Sequence, residues 1–435
     1  MEDTDWIGET FTSDTGWNHL ETLVDIGNRM AGSPGEQEAV ERTRDALSEV
    51  GARDAVVDEF EIQGWVRGDS AIEAGDTTQN CIALPRSPAD EVTGELVDLG
   101  YGLPEDFDAD LSGNVVMVSS TVPDHYDRFI HRREKYYYAV EAGAAAFVFK
   151  NHVEGCLPPT GSVGTPDSPI GDIPAVGVSA EVGARLTRRF EGQDITVGVD
   201  CETPNATSGN VHAVVGPDSE TEILVTSHLD AHDIAEGAAD NGTGTAMVVE
   251  LARILADRAT ELDTRVRFVP FGAEEVGLVG SAHEAERADF DAIKAIVNFD
   301  GVANGRTLRF HTHDFDELET AAEGVGDRFD HPVSVVPEQL PHSDHWPFVQ
   351  WGVPGYMVSS ESESRGRGWG HTYADTLDKL EVRTFREQAV LLADLVVDLA
   401  DEGTDVPHKD PEQIAERLEA ENFAPGMKIT GDWPY

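Results

Sequence analysis

Four stretches in the second half of the chain place an imidazole or a carboxylate directly or shortly after an apolar run. The run ending near Thr226 leads into Ser227-His228-Leu229-Asp230, the run ending at Phe271 into Gly272-Ala273-Glu274-Glu275, and the run ending at Phe299 into Asp300-Gly301. The run around Tyr356 leads through a Gly-rich loop to Gly370-His371-Thr372-Tyr373-Ala374-Asp375. A further acid, Asp240, stands in Ala238-Ala239-Asp240-Asn241-Gly242-Thr243-Gly244, a turn that opens a helical pattern. Imidazoles and carboxylates without thiolates are the donor set of a hydrolytic zinc centre, which must leave a position open to water. Singly, each of these residues is better explained as a cap or turn residue, the commoner use of Asp and Asn. The set in this order is what points to chemistry.

What must position them is a sheet whose strands end at one edge, because ligands of open α/β sheets bind beyond the carboxyl ends of the strands. The pattern from about Asn210 onward fits one. Ile223-Leu224-Val225, Val266 to Phe271, Ala295 to Phe299 and Gly355 to Val358 read as strands, and 244–257 and 384–399 read as helices with apolar residues at helical spacing. Before them, Ser33-Pro34-Gly35-Glu36 reads as a capping box opening a helix to about Val50, stopped by Gly51 and followed by a strand from Ala55 to Phe60. From about Thr77 to Cys201 the texture changes to short strand-like runs (81–84, 94–99, 114–118, 145–149, 175–178) with one helix over 127–142. The expected organisation is therefore 1–76 and 206–435 as one α/β body, with a mixed, mostly parallel sheet sandwiched by helices, and 77–205 as a smaller β-rich insert. The segment 155–172, rich in Pro, Gly, Ser and Thr, reads as a surface loop, and the role of the tail after Pro407 is not legible.

Taken together, His228-Leu229-Asp230, Gly237 to Gly244, Gly272 to Ser281, Asn298-Phe299-Asp300, Ser343-Asp344-His345-Trp346-Pro347-Phe348 and His371 to Thr376 closely resemble metallopeptidase family 28. That family contains leucyl-type aminopeptidases, glutamate carboxypeptidases and glutaminyl cyclases. The resemblance covers Ser33 to about Leu399 and departs at none of the metal-ligand positions. It implies two zinc ions, with Co or Mn as possible substitutes, bridged by Asp240. One would be further held by His228 and Asp300, the other by Glu275 and His371. Glu274, beside a ligand but not spent on metal, would carry the water's proton to the leaving amine, and Asp230 would orient His228 through its second nitrogen. His342, Asp344 and His345 are candidates for stabilising an intermediate or for packing behind the ligands, and Asp375 for supporting the His371 loop. His232 and Asp233 read as loop residues, His283, His311 and His313 as solvent-facing, and Tyr136-Tyr137-Tyr138 as packing and surface. The insert resembles the protease-associated domain, in its helix ending at Ala139 to Ala144, its strand Ala145 to Phe149 and the later Ile173 to Ser179.

The implied activity is an exopeptidase acting on peptides, aminopeptidase first. A dipeptidase, carboxypeptidase or glutaminyl-cyclase-like enzyme is the alternative, and a receptor-like relative without metals is a reading from another class. A formal charge of −52, from 31 basic and 83 acidic residues, excludes nucleic acid as a partner. With only six Lys, the acids spread along the whole chain suggest a surface adapted to high salt, where screening relieves self-repulsion. No run approaches the ~18 apolar residues of a membrane span, and Met1 to Asn28 shows no secretory pattern, so the expected location is the cytoplasm. Cys81, Cys156 and Cys201 are too widely spaced for a zinc site and read as buried packing residues. Nothing in the sequence speaks to oligomeric state.

Overall fold

The computed structural model describes residues 4–126, 128–361 and 369–435. Most of the Gly-rich loop before His371 (362–368) and Asp127, the expected first residue of the insert helix, lie outside the described residues, as do residues 1–3.

Two eight-stranded sheets form the molecule. The larger runs in the order Arg53–Gln63, Asn205–Val215, Arg265–Phe271, Glu222–His228, Ile293–Phe299, Gly355–Ser360, Leu308–His311, Val333–Val336. Its middle four strands are parallel and its flanks bring in antiparallel pairs, so it is a mixed sheet and not a purely doubly wound one. Glu222–His228 is buried along its whole length, which is why it reads as a continuous apolar run without alternation. The register pairs His228 with Phe271 and Thr226 with Asn298, so the carboxyl ends of the three central strands lie level. Everything that follows His228, Phe271 and Phe299 is thereby delivered to one edge.

Helix Thr243–Asp257 is buried on nearly all sides, wedged between this sheet and helices Thr15–Ile26 and Val382–Ala400. The N-terminal helices Asp5–Thr12 and Thr15–Ile26 have no counterpart in the sequence reading, although Leu20 and Leu23 of the second are fully buried in the main core. Gly16 is required where they meet: a Cβ there would stand 2.8 Å from that of Glu250, whose carboxylate accepts the Gly16 N–H at 2.8 Å. Ser33 caps helix Pro34–Glu49 as expected, by accepting from the Glu36 N–H. The Glu36 side chain, however, does not complete the box. It is buried, and its oxygens take the N–H groups of Gly32 and Ala273 and the Ser208 hydroxyl.

The second sheet, in the order Thr77–Gln79, Val66–Ala74, Asp194–Glu202, Asp90–Asp98, Val115–Ser119, Ala146–Lys150, Ala175–Val178, Ile82–Ala83, already begins with a strand ahead of residue 77. Helix Arg132–Glu141 buries Tyr136 and Tyr137 and leaves Tyr138 half-buried, as a packing role requires. The cysteines are free, but none is fully buried and Cys156 is exposed; an isolated small side chain carries no sequence signal of its depth. His313 also departs from expectation, being fully buried and stacked on His345 at 4.7 Å. No helix among the described residues is long and apolar enough to cross a membrane.

Candidate metal centre

The level strand ends bring five carboxylates, Asp230, Asp240, Glu274, Glu275 and Asp300, against the imidazoles of His228, His232 and His371. They sort into two groups, each able to bring its donor atoms within 4.8 Å of one another: His228, Asp240 and Asp300, and His232, Glu275 and His371. Asp240 stands between them. Its Oδ1 is 3.3 Å from His228 Nε2, and its Oδ2 is 3.0 Å from His371 Nε2. His228 Nε2 lies 3.9 Å from Asp300 Oδ1, and His371 Nε2 lies 3.5 Å from Glu275 Oε2. Donors around a tetrahedral zinc with bonds of ~2.0–2.1 Å are about 3.3–3.4 Å apart, so these separations fit an ion on each side of Asp240. The chemistry of the donors agrees, since His228 Nε2 and Glu275 Oε1 are buried without a hydrogen-bond partner and a cation would satisfy both.

The local backbone explains the placement. Asp240 follows Gly237, whose left-handed φ of 58° and missing side chain are both needed, because a Cβ there would stand 2.3 Å from that of Ala231. Asp375 accepts the N–H groups of Ala239 (2.8 Å) and Asp240 (3.1 Å), so it ties the Asp240 turn to the His371 segment instead of bracing His371 alone. Asn241 donates to the Phe299 carbonyl at 2.7 Å, fixing the same turn to the strand that delivers Asp300. Beneath it all, fully buried Arg29 donates to the carbonyls of Leu23, Leu229, Glu236 and Gly237. Burial lowers its guanidinium to about 10, with Asp375, Asp230, Asp240 and Glu275 opposing.

Asp230 has a double role. Its main-chain carbonyl is 3.1 Å from His228 Nδ1, with its carboxylate at 3.5 Å. The carboxylate also accepts the N–H groups of Glu274 (3.1 Å) and Glu275 (3.2 Å). Together with the Glu36 bond to Ala273, held at a left-handed φ of 57°, this aims consecutive acids at different tasks. Burial raises the Glu274 carboxyl well above its usual range; His228 pulls it down, while Glu275, Asp344 and Asp300 push it further up. Burial likewise lifts Glu275 to about 8, against the pull of His371. Asp240 is the exception: burial raises it, but His371 and His228 outweigh that and hold it well below the ordinary carboxylate range.

Of the three candidates in the 342–345 segment, only His342 faces the site's cavity, stacked on His131 of the insert at 4.9 Å. Asp344 and His345 are fully buried and do not line that cavity. Burial lifts the Asp344 carboxyl to about 7, against His228. Ser343, which belongs to the same motif, does more than either. Its hydroxyl donates to Asp300 Oδ2 (2.7 Å) and accepts from Asn298 (2.9 Å), whose carbonyl oxygen takes the Thr226 hydroxyl (2.7 Å).

His232 and Asp233 lie on a loop, as expected, but both are tied into the site. His232 is buried, with Nε2 2.8 Å from Glu275 Oε2 and its ring edge-on to His371 at 4.5 Å. Asp233 pairs through both oxygens with Arg67 (2.8 and 2.6 Å). The segment 155–172 is indeed without regular structure, yet its middle, Pro159 to Gly164, is buried: Val163 packs into the insert's own core, and Thr160 meets His371. A cavity of about 810 Å³ opens over the centre, floored by Asp240, Glu274 and His371 and walled by Arg132 of the insert and by Phe423 and Trp433 of the tail. The tail that the sequence left unread is thus part of the site.

A profile described as peptidase family M28 matches residues 210–396, and a PA domain profile matches 92–186. The chain is similar to Aminopeptidase YwaD of Bacillus subtilis (strain 168), 27% identical over 91% of this chain and 85% of the relative. Among solved structures, an aminopeptidase from Aneurinibacillus sp. strain AM-1 superposes with a TM-score of 0.70 at 26% identity, over 93% of this chain and 97% of that one. A peptidase M28 precursor from Shewanella amazonensis SB2B gives a TM-score of 0.77 at 20% identity, over 93% and 97%, and bears on the fold alone.

Proposed function

The chain belongs to peptidase family M28 and carries an inserted PA domain, and from that premise we propose that it is an aminopeptidase working with two zinc ions. His228, Asp300 and Asp240 would hold one ion, and His371, Glu275 and Asp240 the other. The observation that carries this reading is the Asp240 carboxylate, which turns one oxygen to each imidazole. Bound there, the ions supply a water of lowered pKa and polarise the scissile carbonyl. The chain's own residues do the rest. Glu274, at the cavity floor and 14% exposed, takes the water's proton and delivers it to the leaving amine. Asp230 keeps its backbone in place, and the Thr226–Asn298–Ser343 chain fixes the Asp300 oxygen that faces away from His228. The cavity walls shield the reacting groups from bulk water.

Cleavage from the amino end follows the names of the similar proteins, which are aminopeptidases. Aminoacyl-nitroanilides with a free α-amino group are expected to be hydrolysed, while N-blocked peptides with a free C-terminus are not. Hydrolysis of the blocked substrates alone would identify a carboxypeptidase, and cleavage only of dipeptides a dipeptidase.

The charge of −52 supports a protein built for concentrated salt. Activity and folded structure should both fall on dialysis from molar salt to dilute buffer, followed by nitroanilide turnover and circular dichroism. Full retention of both in dilute buffer would end that reading.

A further inference from the structure

A metal-ligating imidazole is held in orientation by what its other ring nitrogen bonds, and losing that partner typically costs about 10–100-fold in metal affinity. For His228 the partner is local, the carbonyl of Asp230 two residues on. For His371 it comes from the other sheet's part of the chain. His371 Nδ1 stands 3.3 Å from the main-chain carbonyl of Thr160, in the 155–172 segment, and the Thr160 N–H donates back to the His371 carbonyl at 2.8 Å. This two-way backbone clasp fixes both the ring and the loop that carries it, at a residue whose own φ of 56° is left-handed and gains from external support.

One side chain locks the clasp. Arg67, on the strand that leads into the second sheet, holds Asp233 through both carboxylate oxygens, donates to the Ala83 carbonyl and reaches the Thr160 hydroxyl at 3.4 Å. Its guanidinium also lies over the Trp65 ring, 5.1 Å from the centroid. Both partners of the ion pair are only 14% exposed, so the pair is shielded from salt, which matters for a chain this acidic. Asp233 follows His232, whose ring packs on His371. The line His232–Asp233–Arg67–Thr160–His371 thus closes a ring through the insert and around the Glu275 side of the metal centre.

We propose that the inserted domain is part of the metal centre's outer sphere, with Arg67 as the positioning residue through which insert docking sets affinity for the ion at His371 and Glu275. The proposal rests on the two-zinc reading given above. It separates the two ions: the one at His228 and Asp300 has its imidazole oriented locally, by the Asp230 carbonyl, and should be indifferent to Arg67.

The test is zinc release from the purified full-length holoprotein, titrated with a chelator at molar salt and well below the melting temperature of every variant. Wild type should hold two ions per chain. Arg67→Met should release one of them at a free-zinc level about 10–100-fold higher than wild type does and keep the other unchanged, and Asp233→Asn should do the same. Asp432→Asn is the control, because it breaks a different insert contact from the tail side, the 3.0 Å ion pair with Arg133, while Arg133 keeps its bond to the Gly164 carbonyl in the 155–172 segment; it should release zinc as wild type does. Unchanged release by Arg67→Met, equal loosening of both ions, or the same loss in Asp432→Asn would overturn the proposal while leaving the two-zinc reading standing. Fewer than two ions in wild type would overturn both.

Discussion

Glu274→Gln is expected to lower turnover by about 10²–10⁴-fold while leaving the zinc content at its wild-type level. Gln matches Glu in shape, so the Asp230 bonds to the backbone of residues 274 and 275 survive, and with them the placement of Glu275. What disappears is the ability to accept a proton and release it to the amine. Before any cation is bound, burial raises the Glu274 carboxyl, with Glu275, Asp344 and Asp300 adding to it and His228 opposing; a carrier must both accept and release its proton near the working pH. Steady-state kcat on an aminoacyl-nitroanilide, measured beside zinc content, separates the roles. Loss of metal along with rate would move Glu274 among the ligands, and an unchanged kcat would remove it from the proton path.

Asp240→Ala should do what Glu274→Gln does not, and empty both metal positions. Each imidazole loses the carboxylate oxygen nearest to it, at 3.3 Å for His228 and 3.0 Å for His371. Because one side chain serves both positions, affinity should fall at each by more than the ~10–100-fold typical of an outer-sphere partner, and activity should drop to background. The fold should persist, since the Asp240 turn is held by Asp375, Asn241 and Arg29 through backbone groups that the substitution leaves in place. Elemental analysis and a thermal melt of the variant check the two halves. Retention of one tightly bound ion would show that Asp240 is not shared.

The fold, and the gathering of the candidate ligands at one sheet edge, were legible in the sequence for one physical reason; their division between two ions came from the family resemblance. Strands buried on both faces announce themselves as apolar runs, and in a sheet with level strand ends the first polar residue after each run falls at the site. His228, Glu275 and Asp300 could therefore be placed by reading outward from Glu222–His228, Arg265–Phe271 and Ile293–Phe299. The supporting residues could not be found this way. Arg29 works by donating to four carbonyls, and Thr160 by offering one of its own, and backbone partners leave no mark on side-chain pattern. Glu36 does sit in a capping-box pattern, but its side chain is drawn 237 residues away, to Ala273. His232 and Asp233 lay in plain view beside the first motif; His232 joins the site through Glu275 and His371, and Asp233 through Arg67, which lies far away in the sequence. The C-terminal tail was opaque because its Phe423 and Trp433 are apolar residues without periodicity, serving a cavity wall instead of a helix face.

Crystals of the zinc-loaded protein, measured on either side of the zinc absorption edge, test directly whether two ions share Asp240. The predicted result is two anomalous peaks about 3.5–4 Å apart, one between His228 and Asp300 and the other between His371 and Glu275, with an Asp240 oxygen on each. A single peak, or a pair with Asp240 bound to only one of them, would contradict it.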